Sequence, residues 1–248
     1  KKINNTISSL SNERTFTVTT GQQLCLFTGP LYFIYKIIST INLAEALAKE
    51  YPDYKFVPVF WMVSEDHDVE EMNHCHVVGK KITWTTQQTG TTGTFSTEGM
   101  KEVIDELAAF IGKESNSNEL IAIFEEAYLH HSTVTGATRH LLAKLFGKWG
   151  LVALDPSDSR LKGKFSEIIK DELENRTSQK IVTATNERLI SLGYKPQVSP
   201  QEINVFYIGK SLPPTPSKGR GEGYRERIVP ESSGFSTRNG TANFSNQQ

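Results

Sequence analysis

Cysteine is scarce in this chain. Cys25 and Cys75 are the two in 248 residues, too few for a disulfide framework. Both sit in apolar or His-rich stretches, which suits a reducing compartment, so a cytoplasmic location is expected. An excess of either charge is also missing. Lys+Arg is 27 against Asp+Glu 28, a net charge of −1, which argues against gripping duplex nucleic acid by phosphate neutralisation. No nucleic-acid partner is expected. Continuous apolar runs are short: the longest stretch, residues 24–41, is interrupted by Thr28, Gly29, Pro30 and Lys36. That falls short of the roughly 20 apolar residues of a bilayer span, so no membrane association is expected. The opening KKINNTISSL lacks the apolar centre of a signal peptide, and the N-x-[ST] matches at Asn4, Asn175, Asn239 and Asn243 therefore carry no weight. G-x-G-x-x-G, G-x-x-x-x-G-K-[ST], H-E-x-x-H and C-x-x-C are absent. The chain starts at Lys1 rather than Met and ends in NGTANFSNQQ, and reads as a piece of a longer product.

What is present suffices for a folded core. Hydrophobic residues are 37% and charged residues 22%, the balance of one or two globular domains. TFTVTT (residues 15–20) alternates and is β-branched, predicting a strand that Gly21 breaks. Thr28-Gly29-Pro30 reads as a helix start, with Thr at or beside the cap and Pro in the first turn. Leu31, Ile34, Tyr35, Ile38 and Ile41 then recur at helical spacing, to about Lys49. VPVFWMV (57–63) is the continuous apolar run of a strand covered on both faces. Strand, helix, strand is a βαβ unit, and the class is α/β. A hairpin turning at Gly79-Lys80, a Thr/Gly-rich loop over 87–97 and three helical patterns near 98–150 follow. A buried strand at 151–154 comes next, then two helices near 159–174 and 179–192, and a last strand at 203–208. GKSLPPTPSKGRGEG (209–223) breaks this rhythm and reads as a solvated, disordered insert between two strands that would otherwise form one hairpin. The expected organisation is a core over 1–208 with a helical insertion, the insert, and a partial remainder of the core over 224–248.

Two places carry chemistry. Gly21, Gln22 and Gln23, with Thr28, Gly29 and Pro30, surround the N-terminus of the first long helix, where unpaired backbone N–H groups and the dipole suit an anion; the alternative is an ordinary connection with an unremarkable cap. Lys36 lies almost two turns into that helix and faces ligand or solvent. The second place is SEDHDVEEMNHCH (64–76), where Ser64, Glu65, Asp66, His67, Asp68, Asn73, His74 and His76 crowd past the carboxyl end of a buried strand. Imidazole and carboxylate together make an acid–base pair near neutrality, and a helix here would put His67 and His74 on one face. A helix cap at Asp66 or Asp68 explains some of the acids but not their density. A Zn²⁺ site from His67, Asp68, His74, Cys75 and His76 is a rival without a recognisable ligand spacing. Asp155 and Asp158 follow another buried strand and line the same cleft or cap a helix. Arg225 and Arg227 bind an anion or face solvent, His130-His131 read as surface, and Trp84 and Trp149 as core.

TTGQQLCLFTGPLYFIYKIISTINLA (19–44) and PVFWMVSEDHDVEEMNH (58–74) resemble the bacillithiol-biosynthesis cysteine-adding enzymes, the BshC family. LVALDPSD (151–158), NVFYI (204–208) and YRERI (224–228) fit the same family more loosely. The resemblance implies a Rossmann-like parallel sheet with flanking helices, related to class I synthetase and nucleotidyltransferase cores. It implies a ligase that adds L-cysteine, through its carboxyl group, to the amine of glucosaminyl-malate, with ATP as the possible activator and no metal beyond nucleotide-bound Mg²⁺. In related folds the first strand–helix junction binds the nucleotide. Thr28-Gly29-Pro30-Leu31 occupies that place, and the His-x-x-His form of the signature is absent. Carried over, Gly21, Gln22, Gln23, Thr28, Gly29 and Pro30 shape the pocket, with Lys36, Asn73, His74 and Asp155 beside it. Ser64, Glu65, Asp66, His67 and Asp68 hold the amino-acid or amine substrate, with His67 as general base and Asp66 or Asp68 orienting it. Family members also carry C-terminal coiled-coil arms, which imply a homodimer for the full-length protein. The alternatives are a nucleotidyltransferase or another amide ligase on this scaffold, or an inactive truncated remnant.

Overall fold

The computed structural model of the protein describes residues 2–112, 116–209, 224–231, 234–237 and 243–245. Contacts divide the chain into two compact units, Lys1–Ser157 and Asp158–Gln248. That boundary falls inside the span to residue 208 that the sequence suggests as one core.

The first unit runs α1 (Lys2–Ser9), β1 (Thr15–Gln23), α2 (Leu31–Glu50), β2 (Lys55–Val63), α3 (Val69–Met72), β3 (His74–Val77), β4 (Lys80–Thr83), α4 (Met100–Ile111), α5 (Ser117–Leu129), α6 (Val134–Phe146) and β5 (Val152–Leu154). β1, β2 and β5 form a parallel sheet in the order β1-β2-β5, with Thr20 beside Phe60 and Trp61 beside Leu154. This is the α/β arrangement that the βαβ pattern predicts, and the Rossmann-like parallel sheet that the resemblance implies. α2 packs Phe33, Ile37, Ile41 and Ala44 inward, and the Phe33 and Phe60 rings meet at 4.9 Å. Each large apolar side chain so buried stabilises the unit by about 1.5–3 kcal/mol. α4, α5 and α6 lie between β4 and β5 in the chain and add Ile104, Leu107, Phe124, Leu141 and Leu142 to the same core.

Several sequence expectations need correction. Gly21 does not end β1, which continues to Gln23. A Cβ at Gly21 would sit 3.2 Å from the Trp61 carbonyl oxygen and 3.3 Å from Trp61 Cβ, so glycine there admits the neighbouring strand's bulky residue rather than interrupting the ladder. The β3–β4 hairpin turns at Val78-Gly79, one residue earlier than expected, with φ of 47° and 80°, the left-handed pair of a tight two-residue hairpin. Trp149 is exposed, with the Lys148 ammonium 4.1 Å over its ring; Trp84 alone of that pair is core. By length and composition α2 does qualify as a membrane span, with mean hydropathy 1.3 over its best window. Its inner face is packed on the sheet, and a core helix of this kind passes the same test.

The second unit contains α7 (Ser159–Lys162), α8 (Ser166–Asn175), α9 (Thr177–Ser191), β6 (Phe206–Gly209), β7 (Tyr224–Glu231), β8 (Gly234–Thr237) and β9 (Asn243–Ser245). Among the described residues, β6, β7, β8 and β9 form an antiparallel sheet in that order. The strands at 224–231, 234–237 and 243–245 therefore belong to an antiparallel sheet and not to the parallel core, of which 224–248 was expected to be a remainder. Gly209 pairs with Tyr224, making the two flanks of 210–223 hairpin partners. Of the insert expected over 209–223, Gly209 is instead the last residue of β6, and residues 210–223 lie outside the described residues. Glu172 is buried in α8 and accepts from the backbone N–H groups of Ser178 (2.9 Å) and Asn204 (2.8 Å).

Candidate functional site

The carboxyl ends of β1, β2 and β5 point the same way, and the polar residues that follow them form the candidate site, where open parallel sheets receive ligands. At the end of β1, Lys36 reaches back from α2. Its Nζ donates to the Gly21 carbonyl (2.9 Å) and to Gln22 Oε1 (3.0 Å), and lies 4.7 Å from the centre of the Tyr32 ring. The connection to α2 is contorted: Phe27, Thr28 and Gly29 have φ of 51°, 75° and 61°, the first two costly for residues with side chains. Buried packing holds them there. Phe27 lies against the rings of Phe124 (4.5 Å) and Tyr128 (5.4 Å), and its N–H donates to the Tyr128 hydroxyl at 3.1 Å. A Cβ on Gly29 would come 2.5 Å from Cys25 Cβ, so this position requires glycine. α2 starts at Leu31 with Pro30 as its cap residue and no side-chain cap; the expected Thr28 cap is not formed, because Thr28 is turned into the left-handed region.

Beyond β2, the loop is organised by carboxylates. Asp66 Oδ1 accepts the backbone N–H groups of His67 (2.7 Å) and Asp68 (3.4 Å), while its Oδ2 accepts the Gln23 side-chain amide. The same amide nitrogen donates to Glu71 Oε2 at 2.6 Å. Gln23 thus brings two carboxylates to one nitrogen. Asp68 caps α3, its Oδ1 accepting from Glu71 N at 3.1 Å, as the helix-cap alternative has it. His67 precedes this one-turn helix and His74 begins β3, so the two histidines do not share a helical face. His67 is half-buried, with both ring nitrogens shielded from solvent; Glu65 is half-buried as well. His74 Nδ1 lies 3.4 Å from Asn73 Oδ1, and its ring meets that of His76 edge-on at 5.2 Å. Cys75 alternates to the buried side of β3. The five residues of the zinc alternative do not converge, and among the described residues no three metal-binding side chains do.

At the ends of β2 and β5, buried Ser64 donates its hydroxyl to Asp155 Oδ1 (2.6 Å), which also accepts from Ser157 N (3.0 Å) and Oγ (2.7 Å). Arg139 stands 3.6 Å from the other carboxylate oxygen. Asp158 belongs to the second unit, where it caps α7. The Arg160 side chain and backbone N–H hold its carboxyl at about 2.

Sequence reasoning passed over Glu71, Arg139 and the Thr/Gly-rich loop. Thr92 N donates to the Asp66 carbonyl (2.7 Å) and Gly93 N to the Ser64 carbonyl (2.9 Å). A Cβ on Gly93 would lie 2.5 Å from Thr135 Oγ1 and 2.6 Å from Ser64 Cβ. A glycine in a long polar loop was the one available signal, and it marks a close backbone approach. Burial, with Glu71 adding to it, pushes the Cys25 thiol up to about 11; burial, with Glu106 adding, does the same for Cys75. Neither is a thiolate near neutrality.

The whole chain, residues 1–248, matches the family described as bacillithiol biosynthesis BshC, N-terminal Rossmann-like domain. A Flavobacterium johnsoniae protein provisionally named cysteine ligase BshC is 46% identical over 98% of this chain and 43% of its own length. Proteins of the same name from Flavobacterium psychrophilum (45% identical, 95% of this chain, 42% of the relative) and Cytophaga hutchinsonii (42%, 86% and 39%) are also similar. The chain therefore spans about two-fifths of the length of these curated relatives.

Proposed function

The chain belongs to the BshC family, as its N-terminal Rossmann-like domain, and from that premise we propose that it is the part of a cysteine ligase that binds and activates substrates in bacillithiol biosynthesis. The reaction joins the carboxyl carbon of L-cysteine to the amine nitrogen of glucosaminyl-malate. A C–N bond forms, a carboxyl C–O bond breaks with its oxygen leaving on the phosphate of the activating nucleotide, and a proton leaves the amine. The supporting observation is the convergence of Gln23, Asp66 and Glu71 beside His67 at the carboxyl end of the parallel sheet.

Two carboxylates gathered on one N–H donor provide acceptors for a substrate ammonium group. His67, carried on the same loop, takes the amine proton. Asp66 orients the loop through the His67 and Asp68 backbone N–H groups, and Asp68 fixes its exit as the α3 cap. Ser64, Asp155 and Ser157 tie the ends of β2 and β5 together and hold the floor of the site. Asn73 and His74 stand at the start of β3, and Glu65 adds charge beside Asp66.

The β1–α2 turn suits ATP. The helix begins without a side-chain cap; Phe33 N donates to the Pro30 carbonyl at 2.9 Å, and the N–H groups of Leu31 and Tyr32 face the approach of phosphate oxygens. Gly29 and Pro30 shape that approach, and Lys36 braces it from below through Gly21 and Gln22. ATP supplies activation of the cysteine carboxylate when bound, with Mg²⁺ arriving on the nucleotide.

The test uses residues 1–248 joined to the C-terminal part that the longer relatives carry. Mass spectrometry after incubation with cysteine and glucosaminyl-malate should find the cysteinyl amide only when ATP is present; product without ATP, or none at all, would overturn the reading. His67→Ala should lower product formation by roughly 10²-fold or more, and a loss under tenfold removes His67 from the base role.

A further inference from the structure

α6 runs alongside the residues that follow β2. Thr135 and Arg139 lie four positions apart in it and share one face. Thr135 Oγ1 stands 2.5 Å from where a Cβ on Gly93 would sit, and Gly93 N donates to the Ser64 carbonyl. One turn further on, the Arg139 guanidinium lies 3.6 Å from Asp155 Oδ2.

That pairing leaves the guanidinium largely unused. Asp155 takes its donors on the other oxygen, Oδ1, from Ser64 Oγ, Ser157 N and Ser157 Oγ. A separation of 3.6 Å is beyond hydrogen-bond reach, and the Arg139 side chain is 52% exposed against 15% for Asp155. An arginine spent on structure closes two parallel bonds to its carboxylate. Arg160 does so with Asp158, at 3.0 and 2.6 Å; Arg139 does not. The first unit has one other arginine, Arg14, which precedes β1 at the opposite end of the strands. Lys36, the cation at the end of β1, is spent on Gly21 and Gln22.

We propose that Arg139 binds a carboxylate of the malyl group of glucosaminyl-malate and so selects the amine substrate, an inference that rests on the reaction proposed above. In that reaction the cysteine carboxylate meets the nucleotide at the β1–α2 turn. The sugar amine meets Asp66, Glu71 and His67. The malyl carboxylates are the anions left without a counter-charge. Malate hangs from the ring carbon beside the one that bears the amine, so the two charged ends of this substrate are near but separate. Gln23 ends β1 and Asp155 follows β5, two strand spacings apart across β2, or roughly 10 Å. An amino sugar lying across the strand ends, amine toward Asp66 and malate toward Arg139, bridges that gap with a hydrogen bond at each end. The planar guanidinium matches a carboxylate with two parallel N–H···O bonds, a geometry that an ammonium group cannot reproduce. Asp155 Oδ2 faces one edge of the guanidinium, and the ligand carboxylate takes another.

The test compares two amines, glucosaminyl-malate and methyl glucosaminide, which lacks the carboxylates. Residues 1–248 are joined to the C-terminal part of the Flavobacterium johnsoniae relative. Calorimetry on this protein should find the malyl compound bound at least about tenfold more tightly. R139M should reduce that ratio to under about threefold, and R139K should fall between the two. The thermal midpoint of R139M should stay within about 2 °C, the side chain being half exposed; if R139M unfolds, R139Q takes its place. Equal affinity for the two amines, no binding of either, or a ratio that R139M leaves unchanged overturns the proposal. So does an equal loss of both amines in R139M, which would make Arg139 a brace for Asp155. Binding needs no turnover, so the two readings fail separately. A malyl preference lost in R139M, with no cysteinyl amide formed by the wild type, supports the subsite and overturns the reaction. Cysteinyl amide formed with a preference that R139M leaves intact overturns the subsite alone.

Discussion

The two units of this chain are held by different means. In the first, α2, α4, α5 and α6 each bury three or more apolar side chains in one shared core. In the second, α7 and α9 bury none, and the buried residue of α8 is the carboxylate Glu172. Apolar volume fixes the first unit, whereas polar pins carry more of the burden in the second. The candidate site sits in the first, where a packed scaffold can hold polar groups in fixed relation. Even the strained Phe27-Thr28-Gly29 turn is set there by the rings of Phe124 and Tyr128. The protein carries convenient reporters of the difference, since Trp61, Trp84, Trp149, Cys25 and Cys75 all lie in the first unit.

The largest expected effect tests whether tight packing extends to the site. Gly93→Ala drives a methyl group into Thr135 Oγ1, Ser64 Cβ and the Ser64 carbonyl, all within 2.7 Å of the ideal Cβ position. Overpacking against backbone should cost roughly 3 kcal/mol. In denaturant titrations the tryptophan fluorescence midpoint should fall, and native-state alkylation of the buried thiols should speed up in parallel. A cost under about 1 kcal/mol would mean that the 92–94 loop sits loosely on the site, and that the contrast between the units stops short of it.

The parallel sheet and its helices were legible because buried strands and amphipathic helices write their periods into the chain. VPVFWMV is a direct consequence of burial. The helical spacing of α2 was legible too, but most of the stripe it suggested misses the covered face: Leu31, Tyr35 and Ile38 are exposed, and Phe33, Ile37, Ile41 and Ala44 pack inward. The cluster at 64–68 was legible as a concentration of ionisable residues after such a strand. What could not be read were the partners. Gln23 reaches Glu71 across 48 positions, and Ser64 reaches Asp155 across 91; such pairings are made by tertiary packing and leave no local pattern. Gly21 misled because a glycine that breaks a strand and one that admits Trp61 look alike in sequence. The His67–His74 spacing misled because α3 is a single turn, closed at Asn73 before the histidines can share a face.

A smaller effect should mark the second unit. Glu172 accepts two backbone N–H groups, from Ser178 and Asn204, and Glu172→Gln leaves one of them poorly served, at a cost of about 2 kcal/mol. Burial alone would raise its pKa, but the donors at Ser178 and Asn204 outweigh it, and the carboxyl titrates below its ordinary value. A depressed folded-state pKa contributes stability that is fully present above the unfolded value, about 4.3. That stability is lost as pH falls through the folded value. The gap between wild type and Glu172→Gln should therefore be full near neutrality and close in acid. Helix circular dichroism and exchange of the α9 amides should register it while the tryptophan transition stays in place. A shift of both transitions together would show that the two units unfold as one.

The smallest effect is the sharpest check on the second unit. Ile181 in α9 is 61% exposed, and α9 buries none of its side chains among the described residues. Removing an exposed branched side chain forfeits little burial, and alanine is the better helix former by a few tenths of a kcal/mol. Ile181→Ala should thus change stability by no more than about 0.5 kcal/mol in either direction. The fully buried Ile37 of α2 would lose 2–5 kcal/mol, on the usual scale, to the same change. If Ile181→Ala instead cost more than about 1.5 kcal/mol in the α9 exchange pattern, its side chain would have to be covered in solution. The second unit would then also be held by apolar packing, through a surface that this span of the polypeptide does not itself provide.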